Sequence, residues 1–303
     1  MESADFDALF DRVSTWGRWG HDDQRGTLHH IVDCTVVAAA SLVRTGRSIS
    51  LGHDLDREPG PDNARPVEHR MTGYASTGHT EPSVNTDYVG MDFHGKSVTH
   101  LDALCHCVFR GRLYNGYVSE AHVGERGGDV GTVSHMAQGV VTRGILVDVP
   151  RSRRLPWLDP GTAIGADELE SVLAAQGVSL RPGDAVLVRT GARARKDALG
   201  AWDPSNLSAG LGPDCMEVLS RGESALLGSD GDSDARPSPV TDIFSPIHAL
   251  ALNAMGMPLI DNMSLEDLAV ACADLDRWEF LFTMAPLRIP GGTGSPVNPL
   301  AVF

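Results

Sequence analysis

Residues 94–106, HGKSVTHLDALCH, concentrate side chains that could do chemistry. The charged and imidazole side chains all stand at even-numbered positions: His94, Lys96, His100, Asp102 and His106. In an extended segment, alternate side chains leave from one face, so these five would share a face. If the chain turns helical after Asp102, Asp102 and His106 still share a face because they are four residues apart. Either conformation directs His100, Asp102 and His106 towards a common site.

Two imidazoles and one carboxylate suit a divalent transition metal such as Zn²⁺ or Mn²⁺. The alternative is that these residues are structural and have satisfied hydrogen bonds. The density of the run favours a metal or catalytic role over that alternative. Cys105 and Cys107 would leave from the opposite face, and we interpret them as small buried apolar residues rather than ligands.

Hydrophobic periodicity predicts the elements that position this segment. Helices are predicted over residues 4–14, 33–45, 166–176, 214–221, 245–256 and 265–275. Strands are predicted over residues 139–149, 184–191, 223–231, 257–262 and 277–289, and loops over 52–69, 192–214 and 229–245. Ser264 is the predicted N-cap of the last helix.

Strands and helices alternate without a linker-like break, which predicts an α/β fold in one globular unit. Within it, residues 1–50 are expected to form a helical N-terminal arm, and residues 51–303 the domain that carries the polar run. The arm is expected to lie over its own chain or over a second subunit. Residues 290–299, PGGTGSPVNP, follow the last strand and are interpreted as a structural C-terminal wrap.

Charge and motifs argue against several functional classes. The formal net charge of −15 argues against nucleic acid or an anionic membrane surface as a partner, because both need clustered cations. A small-molecule substrate remains compatible with it. No Gly-x-Ser-x-Gly elbow, P-loop or Gly-x-Gly-x-x-Gly run opens a helix, so serine hydrolase, NTPase and Rossmann oxidoreductase functions lack support.

The expected location is the cytoplasm. The five cysteines are odd in number, scattered and without a C-x-x-C pair, which suits a reducing compartment. The N-terminal residues have no basic-then-apolar run typical of a signal peptide. No apolar stretch reaches the roughly 18 residues that span a bilayer.

The segment THLDALCH resembles the core of the signature His-x-Gly-Thr-His-x-Asp-x-Pro-x-His of the metal-dependent cyclase family, which includes bacterial kynurenine formamidase and isatin hydrolase. The resemblance to its longer bacterial members extends over nearly the whole chain, through WGRWGHDDQRGTLHHI, YNG, LVRTG, GSDG and the tail RWEFLFTMAPLRIPGGTGSPVNPLAVF. It implies a swivelling β/β/α fold, a divalent metal site, and hydrolysis of a C–N bond in a small amide or cyclic amide by metal-activated water.

The resemblance also implies roles for individual residues. His100 and Asp102 match metal ligands, and Asp102 matches the carboxylate that can bridge two metals. His106 matches a proposed general acid/base. His248 and Asp261 match the later ligands, although Asp261 could equally be a turn residue or a helix-entry cap. Tyr114 and Asn115, in the YNG segment, are assigned to substrate binding.

The chain departs from the signature at its head. Lys96 stands where the signature has its first histidine, and Val98 and Leu104 stand at its glycine and proline. A protonated lysine cannot ligate a metal, so His94 is predicted to complete the site. Lys96 is expected to be solvated or to bind an anionic group of the substrate. Whether the site holds one metal or two stays open.

Two other functions are considered. Some members of the family are presumed cyclases, so a cyclase, a dehydratase or a lactone hydrolase of a biosynthetic pathway is the first alternative. A non-catalytic binding protein is the second, and the presence of His106 argues against it. The resemblance further implies a homodimer or homotetramer with exchange of N-terminal arms.

Overall fold

The computed structural model describes residues 1–74 and 82–303. Those residues form fifteen strands, several of them very short. In chain order they are β1 (Ser48–Ser50), β2 (Glu68–Gly73), β3 (Thr86–Gly90), β4 (His100–Asp102), β5 (Val123–Gly124), β6 (Gly127–Gly128), β7 (Val140–Asp148), β8 (Ala163–Ile164), β9 (Ala185–Arg189), β10 (Gly210–Leu211), β11 (Leu226–Ser229), β12 (Leu259–Asp261), β13 (Glu279–Met284), β14 (Gly294–Pro296) and β15 (Leu300–Val302).

Nine of these strands form one mixed sheet in the order β1-β15-β13-β7-β9-β11-β12-β4-β14. The four central strands β7, β9, β11 and β12 are parallel, and the pairs on either side of them are antiparallel. Strand β9, AVLVR, is buried along its whole length, as expected for a parallel strand covered on both faces. The carboxyl ends of parallel strands meet at one edge of a sheet, where ligand sites commonly form.

Helices cover this sheet. The α-helices are α1 (Ser3–Val13), α2 (Asp33–Ala40), α3 (Ser119–His122), α4 (Val149–Ser152), α5 (Ala166–Ala175), α6 (Ala192–Leu199), α7 (Cys215–Arg221), α8 (Pro246–His248) and α9 (Glu266–Leu275). Helix α8 continues into a π-helical segment, Ala249–Met255. Short 3₁₀ helices lie at Gly26–His30, Tyr114–Gly116 and Val133–Met136. None of the helices in the described part of the chain is long and apolar enough to cross a bilayer.

The N-terminal segment packs on the body of its own chain. Phe6, Leu9 and Val13 of α1 are almost fully buried in the larger hydrophobic cluster. The backbone N–H of Thr15 donates to the carbonyl of Ala254 in the π-helical segment. Residues 1–50 are therefore not separate from the core of the molecule, and β1 within them pairs with β15.

The prediction of a mixed α/β fold is confirmed, and three local predictions are wrong. The predicted loop 192–214 begins with helix α6, because the Asp230 carboxylate accepts hydrogen bonds from the first backbone N–H groups of that turn. The second helix ends at Ala40, five residues earlier than predicted. Helix α9 has Leu265 at its N-cap and no side-chain cap, so Ser264 does not cap it.

The C-terminal wrap and the residues that follow it provide two strands of the large sheet. Strand β14 lies beside β4 at one end of the sheet, and β15 lies between β1 and β13 at the other. The hairpin of β2 and β3 differs from the rest, because all its described strand residues except the terminal glycines are exposed.

Candidate metal centre

Two neighbouring strands bring three of the predicted ligands together. In the antiparallel pair of β4 and β12, His100 lies opposite Asp261, and Asp102 lies opposite Leu259. Opposite residues share a face of the sheet, as do residues two apart on one strand. His100, Asp102 and Asp261 therefore project together, and all three are buried.

Asp102 lies at the centre of the cluster. Its Oδ2 atom is buried and has no hydrogen-bond partner among the described residues. The nearest imidazole nitrogens are Nε2 of His248 at 3.5 Å and Nε2 of His106 at 3.8 Å. Burial raises the pKa of Asp102, but the surrounding imidazoles, His100 foremost, outweigh it and hold the pKa well below its usual range. A buried anionic oxygen without a donor is costly, and a bound cation would satisfy it.

Two histidines are held in the tautomer that a metal requires. The Nδ1 of His100 donates to the carbonyl oxygen of Val98 at 2.9 Å. The Nδ1 of His248 donates to Oδ2 of Asp234 at 2.6 Å. Each imidazole therefore presents Nε2, and each Nε2 lies 3.5 Å from an oxygen of Asp102. A hydrogen bond from the far nitrogen is the usual support of a metal-binding histidine.

Asp261 completes the inner wall of the cluster. Its Oδ2 lies 3.4 Å from Nε2 of His248, and its Oδ1 accepts a hydrogen bond from the hydroxyl of Ser233 at 2.7 Å. The helix that follows has its N-cap at Leu265, so Asp261 is not a helix cap. The geometry favours the ligand interpretation over the capping one.

His94 and His106 form the outer wall. Their rings stack with centroids 4.0 Å apart and planes at 12°. Nδ1 of His94 lies 2.8 Å from Oδ1 of Asp102, and its Nε2 lies 3.0 Å from the hydroxyl of Thr293. The His106 side chain is 30% exposed, so it lies where solvent reaches the cluster.

The protonation state of His106 suits proton transfer. Burial and the neighbouring imidazoles together lower the pKa of His106 to about 4, although Asp102 partly opposes them. The ring is then neutral at neutral pH and can accept a proton.

Within residues 1–74 and 82–303, three groups of donor atoms could hold a metal ion, and they overlap. They are His94 with His100 and Asp102, then Asp102 with His106 and His248, and then Asp232 with His248 and Asp261; within each group the ligand atoms lie within 4.8 Å of one another. Asp102 and His248 each belong to two groups. The residues present therefore fit a divalent cation, with Asp102 and His248 as the shared donors.

Lys96 has a carboxylate partner within its own chain. Its side chain is 23% exposed, and its Nζ lies 2.5 Å from Oδ1 of Asp232. The other oxygen of Asp232 is bound by the Nε and Nη2 of Arg236 at 3.0 and 2.7 Å. The ammonium is thus paired with a buried carboxylate while it still lines both neighbouring cavities, and its binding of an anionic substrate stays a prediction.

Tyr114 and Asn115 are not brought to the cluster. The Tyr114 hydroxyl donates to Asp23 at 3.0 Å, and the Asn115 amide donates to the carbonyls of Gly20 and His21 at 3.0 Å each. Both side chains form hydrogen bonds with residues 15–23 and hold that segment against the rest of the protein. No contact supports the substrate-binding role assigned to them, because their polar atoms form hydrogen bonds with this segment instead.

The sequence analysis missed several residues of the site. Asp232, Ser233 and Asp234 follow β11; Asp232 belongs to one of the donor groups, and the other two residues form hydrogen bonds with Asp261 and His248. Thr293 and Gly294 of the C-terminal wrap lie against His94. The alternating aspartates of GSDGDSDARP, directly after a buried strand, were a signal for the first group. Nothing local indicated the second group.

Thr99 lies immediately before β4 and has a structural role. Its hydroxyl donates to the carbonyl oxygen of Asn262 at 2.6 Å and accepts from the backbone N–H of His53 at 3.0 Å. It therefore ties the loop before β4 to the end of β12.

Two cavities adjoin the cluster. An open cleft of about 480 Å³, lined in part by Asn63, Met91 and Phe93, reaches the ring of His94. A narrower cavity of about 90 Å³ lies on the other side of Lys96, towards His53 and Trp202. The cleft is large enough for a small organic molecule, whereas the narrower cavity is not.

Comparisons with known proteins identify the family of this chain. The sequence model of a family described as putative cyclase matches residues 32–233. A solved structure described as a novel cyclase is 31% identical and superimposes with a TM-score of 0.87, over 97% of this chain and 99% of that one. The chain belongs to the cyclase family. The resemblance found in the sequence is thereby confirmed, as is the cyclase-like α/β fold.

More distant members of the fold include two hydrolases. An isatin hydrolase bound to the product analogue thioisatinate has 19% identity and a TM-score of 0.60, over 89% of this chain and 98% of that one. A protein from Bacillus stearothermophilus described as a predicted metal-dependent hydrolase has 15% identity and a TM-score of 0.51, over 85% and 98% of the two chains. At these identities the likeness shows the fold alone. No curated protein matches the sequence.

Proposed function

We propose that this member of the cyclase family is a metal-dependent hydrolase that cleaves the C–N bond of a small amide or cyclic amide. The divalent ion is Zn²⁺ or Mn²⁺, held by His100, Asp102, His248 and Asp261, with His94 completing the set. His106 is the general acid/base.

One observation carries the proposal. The buried Oδ2 of Asp102 has no hydrogen-bond partner in the described chain, although two oriented imidazoles point their Nε2 atoms towards the Asp102 carboxylate. Carboxylate oxygens and imidazole nitrogens that converge in this way are the donor set of a divalent transition metal. The hydrolases that share the fold support the reaction class.

The residues divide the chemistry between them. A divalent ion supplies Lewis acidity, which lowers the pKa of water and polarises a carbonyl. Asp102 neutralises part of the positive charge, and Asp234 keeps His248 in the ligand tautomer. His106, neutral and partly exposed, takes a proton at Nε2 and delivers it to the departing nitrogen. The cleft beside His94 admits the substrate from the same side.

Metal analysis followed by substrate profiling tests the function. Purified protein, treated with a chelator and reconstituted with Zn²⁺ or Mn²⁺, should hydrolyse at least one member of a panel of N-formyl amides and lactams. The Asp102→Asn variant should lose metal and activity, while Asp129→Asn, an exposed carboxylate paired with His122, should keep both. A wild-type protein that retains no metal after reconstitution would refute the proposal.

A cyclase, dehydratase or lactone hydrolase is the second candidate. It is favoured by the family description and by the structure described as a novel cyclase. The same donor set could polarise a ketone or a lactone carbonyl. Reactions in ¹⁸O-labelled water separate the classes, because hydrolysis incorporates the label from solvent and cyclisation does not; lactones in the panel then separate C–O from C–N cleavage.

We also propose that the protein is a homodimer or homotetramer. The hairpin of β2 and β3 stands with both faces exposed, and it carries the exposed side chains of Met71, Tyr88 and Val89. An isolated two-stranded hairpin is marginally stable in water, and a second copy would cover it. Light scattering of the eluted protein measures the assembly, and Val89→Asp should reduce its mass if the hairpin lies in the contact.

A further inference from the structure

The donor cluster is surrounded by an uneven set of fixed charges. Four buried aspartates lie in or against it, and each is at most 3% exposed: Asp102, Asp232, Asp234 and Asp261. Among the described residues, the permanent cations that pair with them are Lys96 and Arg236, both at Asp232. Two negative charges are therefore left over, which is the charge of a single divalent ion.

Both cations lie at Asp232, a residue of one of the candidate metal-binding groups. Asp232, His248 and Asp261 form a group that could hold a metal ion. However, Lys96 occupies one oxygen of Asp232 at 2.5 Å, and Arg236 occupies the other at 2.7 Å. Both ligand positions of this carboxylate are thus filled by hydrogen-bond donors. The other two donor groups meet no such competitor, because Oδ2 of Asp102 stays unpaired.

Building on the metal centre of the proposed function, we propose that Lys96 takes the place of a second metal ion. The protein then binds one divalent cation at Asp102, and the Lys96 ammonium holds Asp232 where a second cation would otherwise bind. Lys96 is in this assignment a positioning residue that fixes the metal stoichiometry.

The choice of side chain fits this role. The chain has only two lysines, Lys96 and Lys196, and uses arginine for all its other permanent side-chain cations. An ammonium is a compact point charge that can sit against a single carboxylate oxygen, whereas a guanidinium presents a planar fork. Because Arg236 already spans one side of Asp232, a point charge suits the remaining oxygen.

Metal stoichiometry tests the proposal without reference to turnover. Chelator-treated protein is titrated with Zn²⁺ by calorimetry, and elemental analysis after desalting gives the bound equivalents. The wild-type protein should bind one equivalent. Lys96→Gln should bind two, and the double variant Lys96→Gln/Asp232→Asn should return to one, because the added ion needs the freed oxygen.

Lys196→Gln is the matched control. Lys196 also forms a carboxylate pair, at 2.6 Å to Asp62, but outside the donor cluster. This variant should bind one equivalent, like the wild type.

The outcomes are distinguishable. Two equivalents in the wild type, or one in a folded Lys96→Gln, would overturn the role of Lys96 and leave the proposed function standing. No bound ion in the wild type would refute the proposed function itself. If Lys96→Gln does not fold, Lys96→Met provides the second measurement, and the wild-type count tests the proposal on its own.

Discussion

The Nδ1 atom of His248 lies 2.6 Å from Oδ2 of Asp234, a carboxylate with no exposed surface. This contact fixes the imidazole so that Nε2 faces Asp102. Replacing Asp234 with Asn should weaken metal affinity by about 10- to 100-fold, because an amide can orient the ring either way and no longer raises its basicity. Calorimetric titration of the chelator-treated variant with Zn²⁺ measures the change.

The exposed Asp242→Asn, on the loop that precedes α8, is the control for this variant. Its affinity should equal that of the wild type. An unchanged affinity in a folded Asp234→Asn would show that Asp234 does not support a metal ligand.

His106→Ala should leave the metal content nearly intact and reduce kcat by about 100-fold or more, the usual contribution of a general acid/base. The imidazole faces solvent and stacks on His94, so its loss removes a proton carrier without opening the inner donor set. His135→Ala, an exposed histidine outside the cluster, should keep the wild-type kcat. Loss of metal from His106→Ala, with activity restored by excess metal, would instead identify His106 as a ligand.

His94→Ala should weaken binding of the metal by about tenfold or more, because one of its nitrogens lies at the donor cluster. Lys96→Met should leave the affinity for the first ion almost unchanged, since a protonated amine offers no lone pair. Competition with a chromophoric chelator compares the two. The reverse pattern, with metal lost only from Lys96→Met, would make the assignment of His94 wrong.

Gly294→Ala should displace His94. A Cβ at this position would lie 2.3 Å from the carbonyl oxygen of Leu101 and 2.7 Å from Cε1 of the His94 ring, so the strand or the ring must move. We expect a loss of about 1–3 kcal/mol in the free energy of unfolding and weaker metal binding. Gly124→Ala is matched, because an added Cβ there meets nothing within 4 Å. Equal stability and affinity in the two variants would contradict the close approach.

Acid should destabilise the apo-protein in a defined window. Burial, together with the nearby charges of Arg193 and Lys196, lowers the pKa of His53 from 6.5 to about 4. Between pH 6.5 and 4 the unfolded chain binds a proton at this position that the folded chain does not, so stability falls as the pH is lowered through that window. His53→Gln should flatten this part of the curve by on the order of 1–3 kcal/mol.

Urea unfolding at intervals of pH measures this slope. His122→Gln is the control, because His122 pairs with the exposed Asp129 at the surface, outside the described cavities. If stability changed with pH equally in His53→Gln and in the wild type, His53 would have the same pKa in the folded and the unfolded chain.

The sequence predicted those parts of the site that lie close together in the chain. The even spacing of His100, Asp102 and His106 was enough to place them on one side of a strand and the turn after it. His248 and Asp261 could be assigned only through the resemblance, since each stands alone in an apolar segment. The main helices and strands were predictable for the same reason. The hydrophobic pattern of a buried strand or an amphipathic helix lies within its own segment.

The rest depends on contacts between distant segments. Helix α6 was missed because Asp230, from another part of the chain, binds its first N–H groups. The partner of Lys96 was missed because Asp232 lies 136 positions further along the chain. Thr293 reaches His94 only because β14 pairs with β4, and no hydrophobic period predicts the pairing of a three-residue strand.

That pairing has a consequence for the order of events during synthesis. Strand β14, which lies against the histidines, leaves the ribosome after every other element of the site, and at about 5–20 residues per second it follows β4 by many seconds. Until then one edge of β4 has no neighbour and the Asp102 carboxylate lacks its outer cover. A nascent chain could collapse around the parallel strands early, yet its donor atoms would reach their final positions only once β14 has emerged and paired with β4.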